Sequence, residues 1–324
     1  MKAVHPITAK LKARMKLPVI GSPLFIISGP ELVIAQCKAG IIGAFPSLNA
    51  RPLPQLEEWL QRLSTELGPQ DAPYAVNLIV HKSTDRLMDD LALCVKYKVP
   101  VIITSLGARQ DVNEAIHSYG GIVLHDIIDN RFARKAIEKG ADGLIAVAAG
   151  AGGHAGTLSP FALIQEIREW FDGPLALSGS MATGEAVLAA EAMGADFGYI
   201  GSAFIATTEA RADQGYKDMI VESTASDIVY SDLFTGVSGN YLRPSIVQAG
   251  LDPDQLPKGD YSTMNFGSGG NTDAKAWKDI WGCGQGIGAV KAVLPAGELV
   301  ARLQREYEAA RARLLGSAKA RAAE

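Results

Sequence analysis

Residues 140–156 read Gly-Ala-Asp-Gly-Leu-Ile-Ala-Val-Ala-Ala-Gly-Ala-Gly-Gly-His-Ala-Gly. Three signals follow one another in this stretch. Gly140 ends the helical pattern of Arg131–Lys139, since the left-handed residue that closes a helix is most easily a glycine. Gly143–Ala149 is a continuous apolar run, as expected of a strand covered on both faces. Gly150–Gly156 then abandons strand periodicity for a glycine-rich loop around one imidazole, His154. A helix stop, a doubly covered strand and a loop at its C-terminal end make one βα repeat.

The same repeat recurs on both sides of it. Strand-length apolar runs fall at Val19–Phe25, Ile41–Pro46, Tyr74–Val80, Val99–Ser105, Gly121–Ile127, Gly143–Ala149, Pro174–Gly179 and Phe197–Ser202. Helical periodicity fits the segments between them: Glu31–Ala39, Leu53–Leu67, Thr84–Tyr97, Arg109–Ser118, Arg131–Lys139, Pro160–Phe171 and Gly184–Met193. Gly-Ala-Asp precedes a strand twice, at Gly140–Asp142 and Gly194–Asp196, as a helix stop with a short turn. Eight such units predict an α/β fold, a (β/α)8 TIM barrel, because a closed barrel covers continuous apolar strands most economically. A doubly wound open sheet is the alternative. No Gly-x-Gly-x-x-Gly joins the first strand to its helix, where Gly21-Ser22-Pro23-Leu24 stands instead, so a dinucleotide site of that kind is disfavoured.

From about Thr207 to Ile280 the rhythm breaks, and helical pattern resumes near Gly286. The expected organisation is a barrel over 1–206 and 281–324, with a smaller substrate-covering insertion or lid over 207–280. That insertion carries Tyr230, Phe234, Tyr241, Tyr261 and Phe266.

Composition narrows the function classes. The 324 residues are 48% hydrophobic and 20% charged, an ordinary globular usage. A net charge of −4 gives no basic surface for nucleic acid. No apolar run reaches the roughly 18–20 residues that a membrane helix needs, and the chain reads as cytoplasmic. Cys37, Cys94 and Cys283 lack disulfide or zinc spacing, and no His, Asp and Glu cluster has metal-ligand spacing. The expectation is buried apolar thiols, with Cys283 set apart because it lies between two glycines, and no metal.

In a barrel the chemistry sits at the C-terminal strand ends. That filter selects Ser22-Pro23-Leu24, Asn77, Ser105, His125 with Asp126, Gly150–Gly156, Ser178-Gly179-Ser180 and Gly201-Ser202. The last two follow the seventh and eighth strands, where backbone N–H groups commonly bind phosphate. Glycines flank His154, so its ring can stand close to a planar ligand, and an imidazole can move a proton or stabilise developing charge. Asn77 is an amide in an apolar strand and needs a polar partner.

With these residues in place the chain resembles the nitronate monooxygenases, also called 2-nitropropane dioxygenases, and more distantly the flavin-dependent enoyl reductases. The strongest match is Ala151-Gly152-Gly153-His154-Ala155-Gly156, supported by Ser22-Pro23-Leu24, Val76-Asn77-Leu78, Ser178-Gly179, Gly201-Ser202-Ala203-Phe204 and Trp281–Gly286. The resemblance implies noncovalent FMN, its phosphate at Gly179, Ser180, Gly201 and Ser202 and its ring near Ser22, Pro23, Leu24, Asn77, Asp126, Gly152 and Gly153, with Ser178 beside them. It implies His154 as the catalytic residue and oxidation of alkyl nitronates by O2 to a carbonyl compound and nitrite. Leu24, Val147, Gly150 and Asp126 depart from the family pattern; Asp126 stands where a relative has Lys.

The small-molecule partners so implied are a nitronate or nitroalkane and O2, for a monomer or homodimer. The competing readings are an NAD(P)H-dependent reductase of quinones or enoyl thioesters on the same scaffold, and a ligand-binding barrel without catalysis.

Overall fold

A computed structural model describes residues 4–259 and 279–321. Eight parallel strands form its main sheet: β1 (Val19–Gly21), β2 (Ala44–Pro46), β3 (Ala75–Ile79), β4 (Val101–Ser105), β5 (Ile122–Ile127), β6 (Gly143–Val147), β8 (Leu175–Ser178) and β9 (Phe197–Ile200). The remaining strand in this span, β7 (Gly153–His154), belongs elsewhere. The sheet runs β1-β9-β8-β6-β5-β4-β3-β2, and a parallel bridge between Ile20 and Ile42 joins its two ends. There Gly21 N donates to Ile42 O at 2.7 Å and Ile42 N to Val19 O at 3.1 Å. The molecule is therefore a TIM barrel, and the open sheet is excluded.

The strands are shorter than their apolar runs because the C-terminal ends peel off into loops. Phe25, expected at the end of the first strand, lies four residues beyond β1 and is exposed. The eighth run stops at Ile200, and Ser202–Ile205 turns into the short helix α9. Helix starts follow their local chemistry. The Asp129 carboxylate accepts from Phe132 N at 2.9 Å and so caps α6 (Asn130–Glu138). The Thr183 hydroxyl caps α8 (Gly184–Met193) in the same way. Such a cap contributes about 1 kcal/mol.

Alternation sorts the strand residues into two cores. Ile20, Ile42, Ala75, Val101, Ile103, Ile122, Leu124, Ile145, Ala176 and Phe197 fill the barrel interior. Their neighbours, such as Val76, Ile102, Val123 and Leu144, pack against the surrounding helices. Helix α1 (Pro6–Lys12) closes the N-terminal end, its Leu11 packing with the interior cluster. Only the opposite end remains for a ligand.

After α9 the chain forms α10 (Gln214–Glu222), β10 (Ile228–Ser231), β11 (Gly239–Leu242) and α11 (Arg243–Gln248). Tyr216, Met219 and Ile220 of α10 share a core with Leu17, Val19 and Phe204. Strands β10 and β11 form a second, antiparallel sheet with β7. The C-terminal helix Ala296–Arg321 packs mainly against α8 and α2 (Pro30–Ala39). No helix among the described residues is long and apolar enough to cross a membrane.

Candidate active site

The site has a floor made by strands and a roof made by loops. On each strand the interior positions recur every second residue. Past Ala75 the next is Asn77, past Ile103 it is Ser105, past Leu124 Asp126, past Ala176 Ser178, past Phe197 Tyr199 and past Ile20 Ser22. The apolar interior thus gives way to a polar ring at the C-terminal strand ends.

Three ring members are linked in one direction. Asn77 Nδ2 donates to Ile103 O at 3.0 Å and to Ser105 Oγ at 2.7 Å, and Ser105 Oγ donates to Asp126 Oδ2 at 2.6 Å. The Asn77 N–H groups are consumed by the barrel, leaving its carbonyl oxygen for other partners. Burial pushes the Asp126 carboxyl up to about 6, partly opposed by the Ser105 hydroxyl. Burial also raises the Tyr199 phenol, the Asp126 charge adds to this, and a hydrogen bond with Ser22 works against it.

The first loop, Ser22–Ser28, is held in one shape by Asn49. Its Nδ2 donates to Leu24 O at 2.9 Å and Ser28 O at 2.8 Å, while its Oδ1 accepts from Ile26 N at 2.8 Å. Ile26 takes φ +67, a left-handed conformation that costs a β-branched residue about 1–3 kcal/mol. Sequence reading missed this clamp, since one Asn in a loop carries no signal of its partner.

His154 sits in the roof. The β7–β11 pairing sets Gly239 opposite His154 and Asn240 opposite Gly153. Asn240 Nδ2 donates to Ala151 O at 2.6 Å, Tyr230 Oη to Ala155 O at 2.9 Å, and Ala155 N to Ser238 O at 3.2 Å. His154 Nε2 lies 2.9 Å from Thr235 Oγ1. Burial pushes the imidazole down to about 4, so the ring is neutral at neutral pH.

The glycine-lined ends of β8 and β9 close the circuit. Gly179 has φ +136, and a Cβ there would lie 2.7 Å from Ala149 O. A Cβ on Gly201 would press on Leu24 and Ser22 at 3.3 Å, and one on Gly152 would lie 2.8 Å from Gly284 N. Ser180 is exposed, with its N–H on Gly150 O at 3.2 Å, and Ser202 Oγ accepts from Gly284 N at 2.8 Å. The predicted site residues therefore meet around one barrel mouth, floor members on strands and the rest on the loops that follow.

Other readings move. His125 faces outward, its Nδ1 2.6 Å from Thr104 Oγ1, because it alternates with inward Asp126. Tyr241 is a core residue, 1% exposed, against which Phe234 packs edge-on at 4.8 Å. Tyr261 and Phe266 lie outside the described residues. Cys283 is fully buried and its thiol is pushed up to about 12, so it is no nucleophile. Thr235 and Asn240 were not foreseen; their stretch has no periodicity, and only the β7–β11 pairing reveals them.

A TIM barrel sealed at one end, with an imidazole and a polar ring at the other, defines a barrel enzyme. The family description that matches the chain is nitronate monooxygenase, over residues 52–306, and the chain belongs to that family of oxidoreductases. A nitronate monooxygenase of Paraburkholderia phytofirmans is 25% identical, the match covering 90% of this chain and 92% of the relative. Among solved structures, the FabK M276A mutant from Thermotoga maritima has TM-score 0.78 at 22% identity, covering 97% of this chain and all of the other. Nitroalkane oxidase from Streptomyces ansochromogenes also has TM-score 0.78, at 23% identity, covering 94% and 99%. Both structures share the fold.

Proposed function

We propose that this chain is an FMN-dependent nitronate monooxygenase that oxidises alkyl nitronates with O2 to a carbonyl compound and nitrite. The observation that carries the reading is His154, held by β11 over a barrel mouth whose far side is lined by the glycines of the β8 and β9 ends. The residues present fit FMN. Gly179, Gly201 and Gly152 let the strand-end loops pack closely on one another, and a Cβ on Gly153 would have nothing within 4 Å, which leaves open space beside that backbone for a planar ligand. Gly179, Ser180, Gly201 and Ser202 would hold the phosphate, with Ser178 beneath them. Asn77 and Asp126 would face the polar edge of the ring, and Ser22, Pro23, Leu24, Gly152 and Gly153 would flank it. Bound there, FMN supplies the electron-transfer chemistry.

The chain's own residues supply position and proton control. His154, neutral at neutral pH, serves as a hydrogen-bonding group for the nitro oxygens and as an acceptor for the α-proton of a neutral nitroalkane. It does not serve as a standing positive charge. The β10–β11 hairpin covers the substrate and limits water at the mouth.

The test begins with the purified protein, which is to be yellow and to release FMN on denaturation. Adding propyl-2-nitronate in air is expected to consume O2 and release nitrite, and absence of turnover with any small nitronate removes the proposal. Rapid bleaching by NADH or NADPH without O2 assigns the scaffold to a reductase of quinones or enoyl thioesters instead.

A further inference from the structure

Asp126 is a carboxylate in the barrel mouth without a counter-charge, and its neighbours turn acceptors toward the same space. Ile103 O can only accept, so the Asn77 atom 3.0 Å from it is the amide nitrogen. The same Nδ2 donates to Ser105 Oγ at 2.7 Å, and Ser105 gives its one proton to Asp126 Oδ2 at 2.6 Å. Both Asn77 N–H groups and the Ser105 proton are thereby spent. What this wall offers a ligand is the Asn77 oxygen and the Asp126 carboxylate. The elements around Asp126 add no positive charge. The strand β6 presents Ile145 and Val147, and Ser22 and Ser178 are uncharged. The Tyr199 phenol on β9 stays protonated, and His154 in the roof is neutral at neutral pH. Among the described residues no Lys, Arg or His offsets the Asp126 charge, and burial pushes its carboxyl up to about 6.

We propose that Asp126 is the proton-holding group of the cofactor site: it takes one proton from water as the bound ring becomes negative on reduction, and returns it when the ring loses that charge. The inference rests on the reading that turns the polar edge of FMN toward Asn77 and Asp126. The step balances in charge. The reducing substrate supplies the electron, and the ring goes from neutral to singly negative while the carboxylate goes from singly negative to neutral. The pocket thus keeps one negative charge throughout. A like charge arriving close by raises a carboxyl strongly. Starting from about 6, Asp126 crosses neutral pH on such a rise. The Ser105 hydroxyl, itself aimed by Asn77, works the other way and keeps the carboxyl ionised while the ring is neutral. The proton is therefore exchanged with each reduction and oxidation, not permanently held.

The experiment uses the FMN-loaded protein, reduced at an electrode without substrate at pH 7.5. The reduced-minus-oxidised infrared spectrum is expected to gain the carbonyl stretch of a protonated carboxylic acid, which moves in D2O. No such gain in the unsubstituted protein overturns the proposal, whether or not any variant folds. In Asp126→Asn the band is expected to vanish. Above about pH 6 the midpoint potential of the parent is expected to fall more steeply with pH than that of Asp126→Asn. The difference is up to about 30 mV per pH unit, the equivalent of one proton for a two-electron couple. A band and a slope unchanged in Asp126→Asn place the proton on another group and also overturn it. A protein that binds no FMN overturns this inference and the proposed function together. With FMN bound and the band present, failure to oxidise nitronates removes the proposed function alone.

Discussion

The floor and the roof of the mouth are built by different physics. Asn77, Ser105, Asp126 and Tyr199 stand on strands whose parallel ladders fix every interior position. His154 stands on a two-residue strand whose pairing partner arrives more than 80 residues later. The floor is therefore rigid by construction, while the roof is as firm as the contacts that dock β10 and β11 upon it. Chemistry that needs an exact field is best placed below, and a group that must admit and release substrate is best placed above.

The largest effect expected from this division lies at His154. His154→Ala is expected to retain FMN and lose roughly two to four orders of magnitude in turnover, the range for an acid–base group. Release of FMN measured alongside the rates would reassign His154 to structure. Next comes Gly201→Leu, whose side chain must displace Leu24 and Ser22. Overpacking of about 1–3 kcal/mol translates to about ten- to hundredfold weaker FMN binding, measurable by fluorescence titration. Unchanged affinity would move the phosphate away from the β9 end.

Asp126→Asn probes the floor through stability. A carboxyl whose folded value rises from 3.8 to about 6 penalises folding wherever it is ionised. That penalty is full above about pH 6 and fades as pH falls toward 4. The Asn variant is expected to be more stable at pH 7.5 by up to about 2 kcal/mol, and equal to the parent near pH 3.5, in denaturant titrations at both values. Equal stability at both would mean that the carboxylate is compensated. The smallest effect belongs to Tyr230→Phe, which removes one hydrogen bond to Ala155 O. A loss of about 0.5–1 kcal/mol in stability, with FMN affinity unchanged, is the expected outcome of melting and binding measurements. A larger loss of affinity would mean that the roof also holds the cofactor.

Legibility follows the same division. The eight apolar runs identify the barrel strands, and the helix stops at Gly140 and Gly194 both take left-handed conformations. Strand ends are less legible, since an apolar run can continue past the last paired residue into a loop, as at Pro23–Ile27, where Phe25 and Ile26 are exposed. The floor members Asn77, Ser105 and Asp126 could be found one by one as polar residues in apolar strands. Their linkage could not, because neighbouring strands come from separate parts of the chain. His125 shows the cost of a one-residue error: alternation sends it outward while Asp126 points in. Tyr241 shows the limit of composition, for an aromatic in a polar segment was read as a covering residue and packs in a core instead.

By itself the sequence determined the βα rhythm, the glycine-lined strand ends and a lone imidazole in a glycine loop, all properties set within a dozen neighbouring residues by backbone geometry and side-chain period. The tertiary structure alone decided that Asn77, Ser105 and Asp126 form one chain of hydrogen bonds, that Asn49 clamps the first loop, and that Thr235 meets His154. Those pairings join distant segments, and they are selected by barrel closure and by the need of each buried polar group for a partner.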